Sequence, residues 1–417
     1  SAGRPAYRAR AMGPFLSVLI AAFAAAQATQ DVAPAAPLGP GDVRGAVFFA
    51  GVLVFLAAAG GQAQAERRWR LNLSPVAVGG FERLVDLVGY FLLLSGTRFP
   101  ALMQSVVPGV VGDMAFVFLP YFATATARFA AALRIDLGSD GSAVAYRSTF
   151  TLFLRMTATP VLPILVINSF FAWADATPAY AVPTAAYPTL QLLGSVVVVF
   201  AAAALSPLFM RALFAAERLP PGELRGDCEA LAQRTGYPVD YLGRVRTGGM
   251  LLNAVYVGLV RPFRTVLFTD ALIRDLSRQE RLAVFAHELG HGARRHLVFF
   301  SGYIAVVTSA AYAFAPDLAT FGAWMAKGGV AVGMPAADAQ TAAGVIVTLL
   351  SAVLLLGALY FLFGFVSRRF ETEADLFAAD AVGDPEAFVT ALQTVGAKAS
   401  GSDRKSTRLN SSHATLS

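Results

Sequence analysis

Long apolar segments constrain the fold of this chain more than any other feature. Seven of them have about the length of 20 residues that an α-helix needs to cross a bilayer. They occupy residues 45–63, 84–106, 110–127, 150–173, 190–210, 297–314 and 343–366. Hydrophobic residues make up 56% of the 417 residues, charged residues make up only 14%, and the mean hydropathy is +0.58. The sequence therefore predicts a mostly α-helical, polytopic membrane protein with about seven spans.

Composition also excludes several classes of protein. The high apolar content excludes an intrinsically disordered chain, and a single cysteine, Cys228, excludes an intrachain disulfide framework. The formal net charge is +6, but the basic residues lie singly or in short clusters beside apolar runs. Nucleic-acid binding requires a basic face instead, so we expect the lipid bilayer as a partner and no nucleic acid.

The two ends of the chain are set apart from the rest. In residues 1–44, the three arginines Arg4, Arg8 and Arg10 precede an apolar run at 14–28, and a Pro/Ala-rich linker follows at 29–42. Two interpretations of this run stay open, a cleaved signal peptide and an additional first span. Residues 403–417 resemble the translation of a sequencing adapter, and we expect the natural C-terminus to be replaced there.

Arginine clusters predict the orientation of the spans. One cluster, at 67–70, follows the span at 45–63, a second lies in the polar segment 211–296, and a third, Arg368-Arg369, follows the last span. Even numbers of predicted spans separate successive clusters, so all three lie on one side. The positive-inside rule makes that side the cytoplasm. Lysines are rare among the 33 basic residues, which is typical of GC-rich genomes and favours a bacterial inner membrane.

Four ionisable residues interrupt the predicted spans, namely Asp86, Arg98, Asp113 and Arg155. Charges at membrane depth are costly and normally face protein or water. They indicate either a water-filled interior or span ends that lie at the membrane interface.

The polar segment 211–296 predicts a small α+β domain. A helix is expected at 221–235, ended by Gly236, and β-prone runs at 251–259 and 264–268 predict a hairpin. Ser277 and Glu280 form a capping box. The helix that they begin contains the motif His287-Glu288-Leu289-Gly290-His291.

This motif has the spacing of a zinc site. At about 100° per residue, His287 and His291 lie roughly 40° apart on one helical face, as two imidazoles that bind one tetrahedral zinc ion must. Glu288 is then placed to act on a zinc-bound water as a general base. The alternative is a solvated helix whose histidines cap or pack. His296 follows His287 by nine residues and is predicted on the opposite face, as a residue at the helix end rather than a ligand.

A third ligand is expected on the same side of the membrane. Glu371 and Asp375 share one helical face, whereas Glu373 points to another. Glu371 is the preferred third ligand, and Asp375 is expected to orient an imidazole. The alternative is an acidic first turn that only stabilises its helix.

These residues resemble the type I CAAX prenyl protease and heat-shock membrane protease family, the zinc metallopeptidases of family forty-eight. The resemblance rests on the His-Glu-Leu-Gly-His helix between spans and on the segment from Ser367 to Asp375. Further matching pieces are Leu119-Pro120-Tyr121, Pro207-Leu208-Phe209, the run from Leu219 to Arg225, Asn253-Ala254, Val266-Leu267-Phe268, His296 and Asp384-Pro385.

The resemblance implies a fold and a set of roles. It implies one zinc ion per chain bound by His287, His291 and Glu371, with Glu288 as general base. It also implies that the strand of Asn253 and Ala254 receives an extended substrate, and that a zincin-like catalytic domain caps a ring of seven helices. The C-terminal segment that supplies a transition-state histidine in the family is absent here, so no residue is assigned that role.

The predicted organisation follows from these observations. Residues 1–44 form a signal peptide or first span with its linker, 45–210 the N-terminal transmembrane domain, 211–296 the zinc metalloprotease catalytic domain, 297–366 a two-span hairpin, and 367–402 the helix with the third ligand. We expect a membrane zinc metalloendopeptidase with its catalytic domain in the cytoplasm, acting on protein or peptide substrates that are prenylated, unfolded or membrane-associated. The alternatives are an inactive zinc-binding scaffold or transporter, and an intramembrane site-two-type protease.

Overall fold

The computed structural model describes Ala21 and residues 38–71, 85–94, 97–106, 110–137, 143–175, 177–249, 251–357, 363–383 and 389–390. The chain divides into two compact units. Unit 1 comprises residues 1–202 and 303–363, and unit 2 comprises residues 203–302 and 364–417.

The described residues are mostly helical. The helices are α1 (Pro40–Leu71), α2 (Val85–Leu94), α3 (Phe99–Val106), α4 (Val110–Leu137), α5 (Ala143–Asp175), α6 (Pro178–Ala186), α7 (Pro188–Leu213), α8 (Glu223–Arg234), α9 (Asp270–Asp275), α10 (Arg278–Ala293), α11 (His296–Ala331), α12 (Ala336–Gly357) and α13 (Phe363–Val382). The strands are β1 (Glu217–Arg218), β2 (Tyr241–Val245), β3 (Ala254–Val257) and β4 (Thr265–Thr269).

Unit 1 contains helices that expose large apolar side chains. Among the described residues, two helices, Pro40–Glu66 and Leu192–Leu213, are long and apolar enough to cross a membrane. On α1, the side chains of Phe48 and Phe55 are 74% and 71% exposed. Water would solvate such side chains poorly, whereas lipid would cover them at no cost, so their exposure is typical of a membrane-facing helix.

The predicted span at 84–106 is divided into two helices, which corrects the expectation of one continuous span. Helix α2 is described as far as Leu94, Thr97 and Arg98 form a bend, and α3 begins at Phe99, with Pro100 in its first turn. Proline is tolerated there because the first N–H groups of a helix have no partner within it, but it does not continue a helix that precedes it.

Two of the charges noted in the predicted spans contact protein. Asp86 accepts a hydrogen bond of 2.8 Å from Nε of Arg128, and both side chains are largely buried. Arg98 lies 3.2 Å from a carboxylate oxygen of Asp42. The side chain of Asp113 lies outside the described residues. Ion pairing lowers the cost of removing these charges from water, so they do not require a water-filled interior.

Unit 2 contains a four-stranded sheet of order β1-β2-β4-β3. Strands β1 and β2 are antiparallel, β2 and β4 are parallel, and β3 and β4 form an antiparallel hairpin. The hairpin confirms the prediction from the two β-prone runs. Strand β3 lies at the edge of the sheet, where one side of its backbone is not paired with another of these strands.

Helix α10 packs on this sheet through a buried apolar face. Phe285 and Leu289 are fully buried against a core that includes Leu231, Val266 and Phe268. The predicted capping box is present, because Ser277 accepts from the backbone N–H of Glu280 while the Glu280 side chain accepts from that of Ser277. Helix α10 therefore has a fixed start and a fixed rotation.

Candidate metal centre

A close approach of two helices brings the predicted ligands together. Gly290 of α10 lies against α13, and a Cβ atom at Gly290 would lie 3.1 Å from Cα of Ala374. The absence of a side chain at Gly290 lets the two backbones come this near. Ala374 lies three residues after Glu371 and one before Asp375, so the contact sets both acids beside the motif of α10.

His287, His291 and Glu371 form a group of potential metal ligands in which one ligand atom of each lies within 4.8 Å of the others. Nε2 of His287 lies 3.3 Å from Nε2 of His291 and 3.7 Å from Oε2 of Glu371. All three side chains are partly buried. The structure thus brings together the three residues that the sequence singled out as zinc ligands.

The arrangement fits a bound cation. Each imidazole has Nδ1 beside a neighbouring side chain, and the two Nε2 atoms lie near each other, with that of His287 also near the carboxylate of Glu371. With the proton on Nδ1, each Nε2 presents a lone pair, so three electron-pair donors face one another. Two imidazoles and a carboxylate are a ligand set of catalytic zinc sites, which keep a fourth position for water.

Asp375 occupies the position expected of a carboxylate that orients an imidazole. Its Oδ1 lies 2.9 Å from Nδ1 of His287. Burial disfavours the protonated imidazole, but the nearby carboxylates of Asp375, Glu288 and Glu371 outweigh burial and raise the pKa of His287. These carboxylates make the environment of His287 favourable for positive charge.

Glu288 is partly buried next to the ligand group and is held by the sheet. Its Oε2 accepts a hydrogen bond of 2.8 Å from the backbone N–H of Tyr256 in β3. Burial raises the pKa of Glu288 to about 7, although His287 and the Tyr256 N–H both act in the opposite direction. A carboxyl group with a pKa near neutrality can both take up and release a proton at physiological pH.

The outer side of β3, which is not paired with β4, faces the carboxylate of Glu288. Asn253 pairs with Thr269 of β4, since its carbonyl accepts from the Thr269 N–H. Backbone groups alternate in direction along an antiparallel strand, so those of Ala254 and Tyr256 point to the outer side. The Tyr256 contact with Glu288 agrees with that direction. Asn253 and Ala254 therefore lie at the edge on which the sequence predicted substrate binding.

The loop before β3 is fixed by one carboxylate. Asp270 accepts hydrogen bonds from the backbone N–H groups of Thr247 and Gly249 and from the Thr247 hydroxyl. Burial acts to raise the pKa of Asp270, but these bonds prevail and lower it. The ionised carboxylate thus stabilises the path of the chain into the edge strand.

A cavity of about 250 Å³ adjoins the centre. Its lining includes His291, Tyr256 and Arg264. The hydroxyl groups of Tyr237 and Tyr256 lie 2.8 Å apart beside it. The cavity is large enough for an amino-acid side chain and opens between α10 and the edge strand.

Sequence reasoning named His296 and Glu373 but placed neither of them beside the ligands. His296 was expected at the C-terminal end of the motif helix and pointing away, but it begins α11, and its Nδ1 lies 2.9 Å from Nδ1 of His291. The cause is Arg295, whose φ of 58° ends the regular turn and reverses the chain. Glu373 in turn lies 3.2 Å from Nε2 of His296.

Comparisons with known proteins find similarity to peptidases. Residues 222–416 match the model of peptidase family M48. The chain is 36% identical over 84 residues to CAAX prenyl protease 1 of Saccharomyces cerevisiae, which is 19% of this chain and 18% of that protein. It is 27% identical over 188 residues to a protease HtpX homolog of Desulfatibacillum aliphaticivorans, which is 44% of this chain and 57% of that protein.

A solved structure and a further relative are also similar. The chain is 38% identical over 96 residues to a CAAX prenyl protease 1 homolog of Dictyostelium discoideum, which is 22% of each protein. The crystal structure of S. mikatae Ste24p aligns over 87% of this chain and 93% of that chain, with 17% identity and a TM-score of 0.46. The matched segments thus span less than two thirds of each curated relative.

Proposed function

We propose that this protein is an integral-membrane zinc metalloendopeptidase, because residues 222–416 match the model of peptidase family M48. The observation that carries the proposal is the convergence of three metal-ligand atoms beside a partly buried carboxylate. His287, His291 and Glu371 supply the ligand atoms, and Glu288 supplies the carboxylate. This combination suits hydrolysis of a peptide bond by an activated water.

The roles of the residues follow from their positions. His287, His291 and Glu371 hold one zinc ion per chain, and Asp375 orients His287 through Nδ1. A zinc ion held by these residues would polarise the scissile carbonyl and make water a better nucleophile at neutral pH. A site that served structure alone would gain nothing from a carboxylate placed next to the first ligand.

Glu288 acts as the general base. The hydrogen bond from the Tyr256 N–H holds one carboxylate oxygen and so fixes the side chain. With a pKa of about 7, the group accepts a proton from the attacking water and returns it to the leaving amine.

Extended peptides are the substrates that the edge strand can receive. The outward backbone groups of Ala254 pair with an added strand, as in other cases of β-strand addition. The strand then runs past Glu288, which places a peptide bond near the centre. A substrate side chain can enter the cavity lined by His291 and Arg264. An added strand is recognised through its backbone hydrogen bonds rather than through its sequence. Unfolded or membrane-associated proteins and prenylated CAAX peptides therefore both remain substrate classes.

The membrane location rests on the two long apolar helices and on their exposed aromatic side chains. We place unit 2 on the cytoplasmic side, because an even number of predicted spans separates its arginine-rich segment from each of the other two arginine clusters. A bacterial inner membrane fits the arginine-rich composition.

Hydrolysis by the purified full-length chain in detergent tests this function. We expect cleavage of an unfolded reporter protein or of a farnesylated CAAX peptide, loss of cleavage after removal of metal with 1,10-phenanthroline, and recovery on addition of zinc. A serine-protease inhibitor serves as the control and should have no effect. Undiminished hydrolysis by a preparation shown to contain no metal would contradict the proposal.

A further inference from the structure

A buried chain of contacts extends from the second predicted ligand to the protein surface. Nδ1 of His291 lies 2.9 Å from Nδ1 of His296. Nε2 of His296 lies 3.2 Å from Oε2 of Glu373, and the other oxygen of Glu373 lies 3.3 Å from Nε of Arg369. The chain thus joins α10, the start of α11 and α13, all within unit 2.

The contacts define the tautomers of both imidazoles once His291 binds a metal through Nε2. That nitrogen must then be unprotonated, so the proton of a neutral His291 is on Nδ1 and is donated to His296. Nδ1 of His296 is consequently the acceptor, and its own proton is on Nε2. From there it is donated to the carboxylate of Glu373. Each step has one donor and one acceptor, and reversing the direction would protonate the ligand atom of His291.

Packing holds the central histidine in this position. His296 is only 1% exposed, and its ring stacks on Phe370 with centroids 4.1 Å apart and planes 7° apart. Phe299 and Phe300 contact the same ring of Phe370 edge-on. Phe370 directly precedes the ligand Glu371, so one helix supplies a metal ligand, the stacking surface for His296 and the terminal carboxylate.

We propose that His296 and Glu373 are positioning residues for His291, and that together they set its ring orientation and its tautomer. This inference rests on the metal site of the proposed function. His287 is oriented directly by a carboxylate, Asp375. His291 is oriented by a carboxylate through an intervening histidine. His291 donates to His296, and His296 donates to the carboxylate. Residues that hold a ligand in this way usually change metal affinity by about 10- to 100-fold when removed.

The test measures zinc affinity of the full-length chain in detergent, by competition with a chromophoric chelator. The variant H296F keeps the ring and its stacking on Phe370 but removes both nitrogens, and we expect zinc binding about 10- to 100-fold weaker than that of the natural chain. H296N restores an acceptor near the position of Nδ1 and should recover most of the affinity. E373A should weaken binding, whereas E373Q retains an acceptor oxygen and should weaken it less than E373A does.

Two controls separate positioning from folding. T372A changes an exposed neighbour on α13 whose hydroxyl bonds only to the Arg368 carbonyl among the contacts that the structure shows, and it should leave affinity unchanged. Thermal unfolding of the metal-free proteins should show H296F no less stable than the natural chain. The absorption spectrum of the cobalt-substituted protein should differ between H296F and the natural chain, because the orientation of a ligand ring alters the cobalt bands.

The outcomes are distinguishable. Weaker zinc binding by H296F and E373A, with recovery in H296N and with unchanged metal-free stability, supports the inference. Equal affinities and identical cobalt spectra in all variants would overturn it while leaving the metal site intact. Failure of the natural chain to bind zinc would overturn the proposed function and this inference with it.

Discussion

At the candidate centre, the two nitrogens of each imidazole make different contacts. The two Nε2 atoms lie near each other, with that of His287 also near the Glu371 carboxylate, and each Nδ1 contacts a neighbouring side chain. Each ligand atom therefore has a fixed direction before any metal binds. We expect no other side chain to substitute for a ligand that is removed, because the neighbouring donors are already directed elsewhere.

The first prediction at the residue scale concerns the ligands. H287A, H291A and E371A should each lose bound zinc, measured by elemental analysis of the purified proteins, because two ligands cannot complete the site. D380A is the matched control, since Asp380 is an exposed acid on the same helix as Glu371. Full zinc occupancy in any one of the three variants would remove that residue from the ligand set.

Sequence reasoning can find residues that share one helix but not residues joined across a helix break. The ligand pair and Glu288 follow from the period of a single helix, and so does the pairing of Glu371 with Asp375. His296 does not, because the angular calculation assumed that α10 continues, whereas Arg295 adopts a left-handed conformation and ends it. Nothing in the spacing indicates which element lies beside Glu373, so its contact with His296 required the fold.

At the scale of elements, the packing of α10 against α13 depends on one glycine. G290A would place a methyl carbon 3.1 Å from Cα of Ala374 and 3.2 Å from the Phe377 ring. Overpacking of this kind costs about 1–3 kcal/mol. We expect a lower melting temperature and weaker zinc binding, because the two helices carry the ligands. Thermal unfolding and zinc titration of the full-length variant measure both effects.

A second glycine provides the comparison. Gly226 lies on an exposed face of α8, where an added methyl group would meet nothing within 4 Å. G226A should therefore gain only the helix propensity of alanine, about 0.5–1 kcal/mol, and raise the melting temperature slightly. A stabilising effect of both substitutions would show that the close contact of α10 with α13 is not needed for packing.

Local signals predicted several elements correctly. The helix ended by Gly236, the capping box of α10 and the hairpin of β3 and β4 are confirmed. The parallel pairing of β2 with β4 was not predicted, because it joins strands that are separated by β3 and its loops. Such non-local pairing depends on which faces pack on α10 rather than on any short pattern.

At the scale of the whole molecule, the described helices confirm the mostly helical character with a small sheet. The number of spans stays a prediction, since two of the described helices satisfy the length and hydropathy of a membrane-crossing helix. Hydropathy of the sequence alone does not show where a run is divided. The bend at Thr97 and Arg98, which separates α2 from α3, is one example.

Cysteine labelling tests the predicted orientation of the chain in the membrane. With Cys228 replaced by serine, single cysteines at Gln233 and Asp380 should resist an impermeant thiol reagent applied to intact cells, because both are predicted on the cytoplasmic side. A cysteine at Gln340, in the segment before the last predicted span, should react and serves as the control. All three positions are exposed in the structure. Ready labelling at Gln233 or Asp380 would refute the assigned topology.

The central claim is that Glu288 transfers the proton in a zinc-dependent peptide hydrolysis, and turnover per bound zinc in E288Q tests it most directly. The amide keeps nearly the shape of the carboxylate and its contact with the Tyr256 N–H, but it cannot accept a proton from water. The account predicts that E288Q retains zinc at the stoichiometry of the natural chain and cleaves the unfolded reporter at least about 100-fold more slowly. Hydrolysis by zinc-loaded E288Q at close to the natural rate would contradict it.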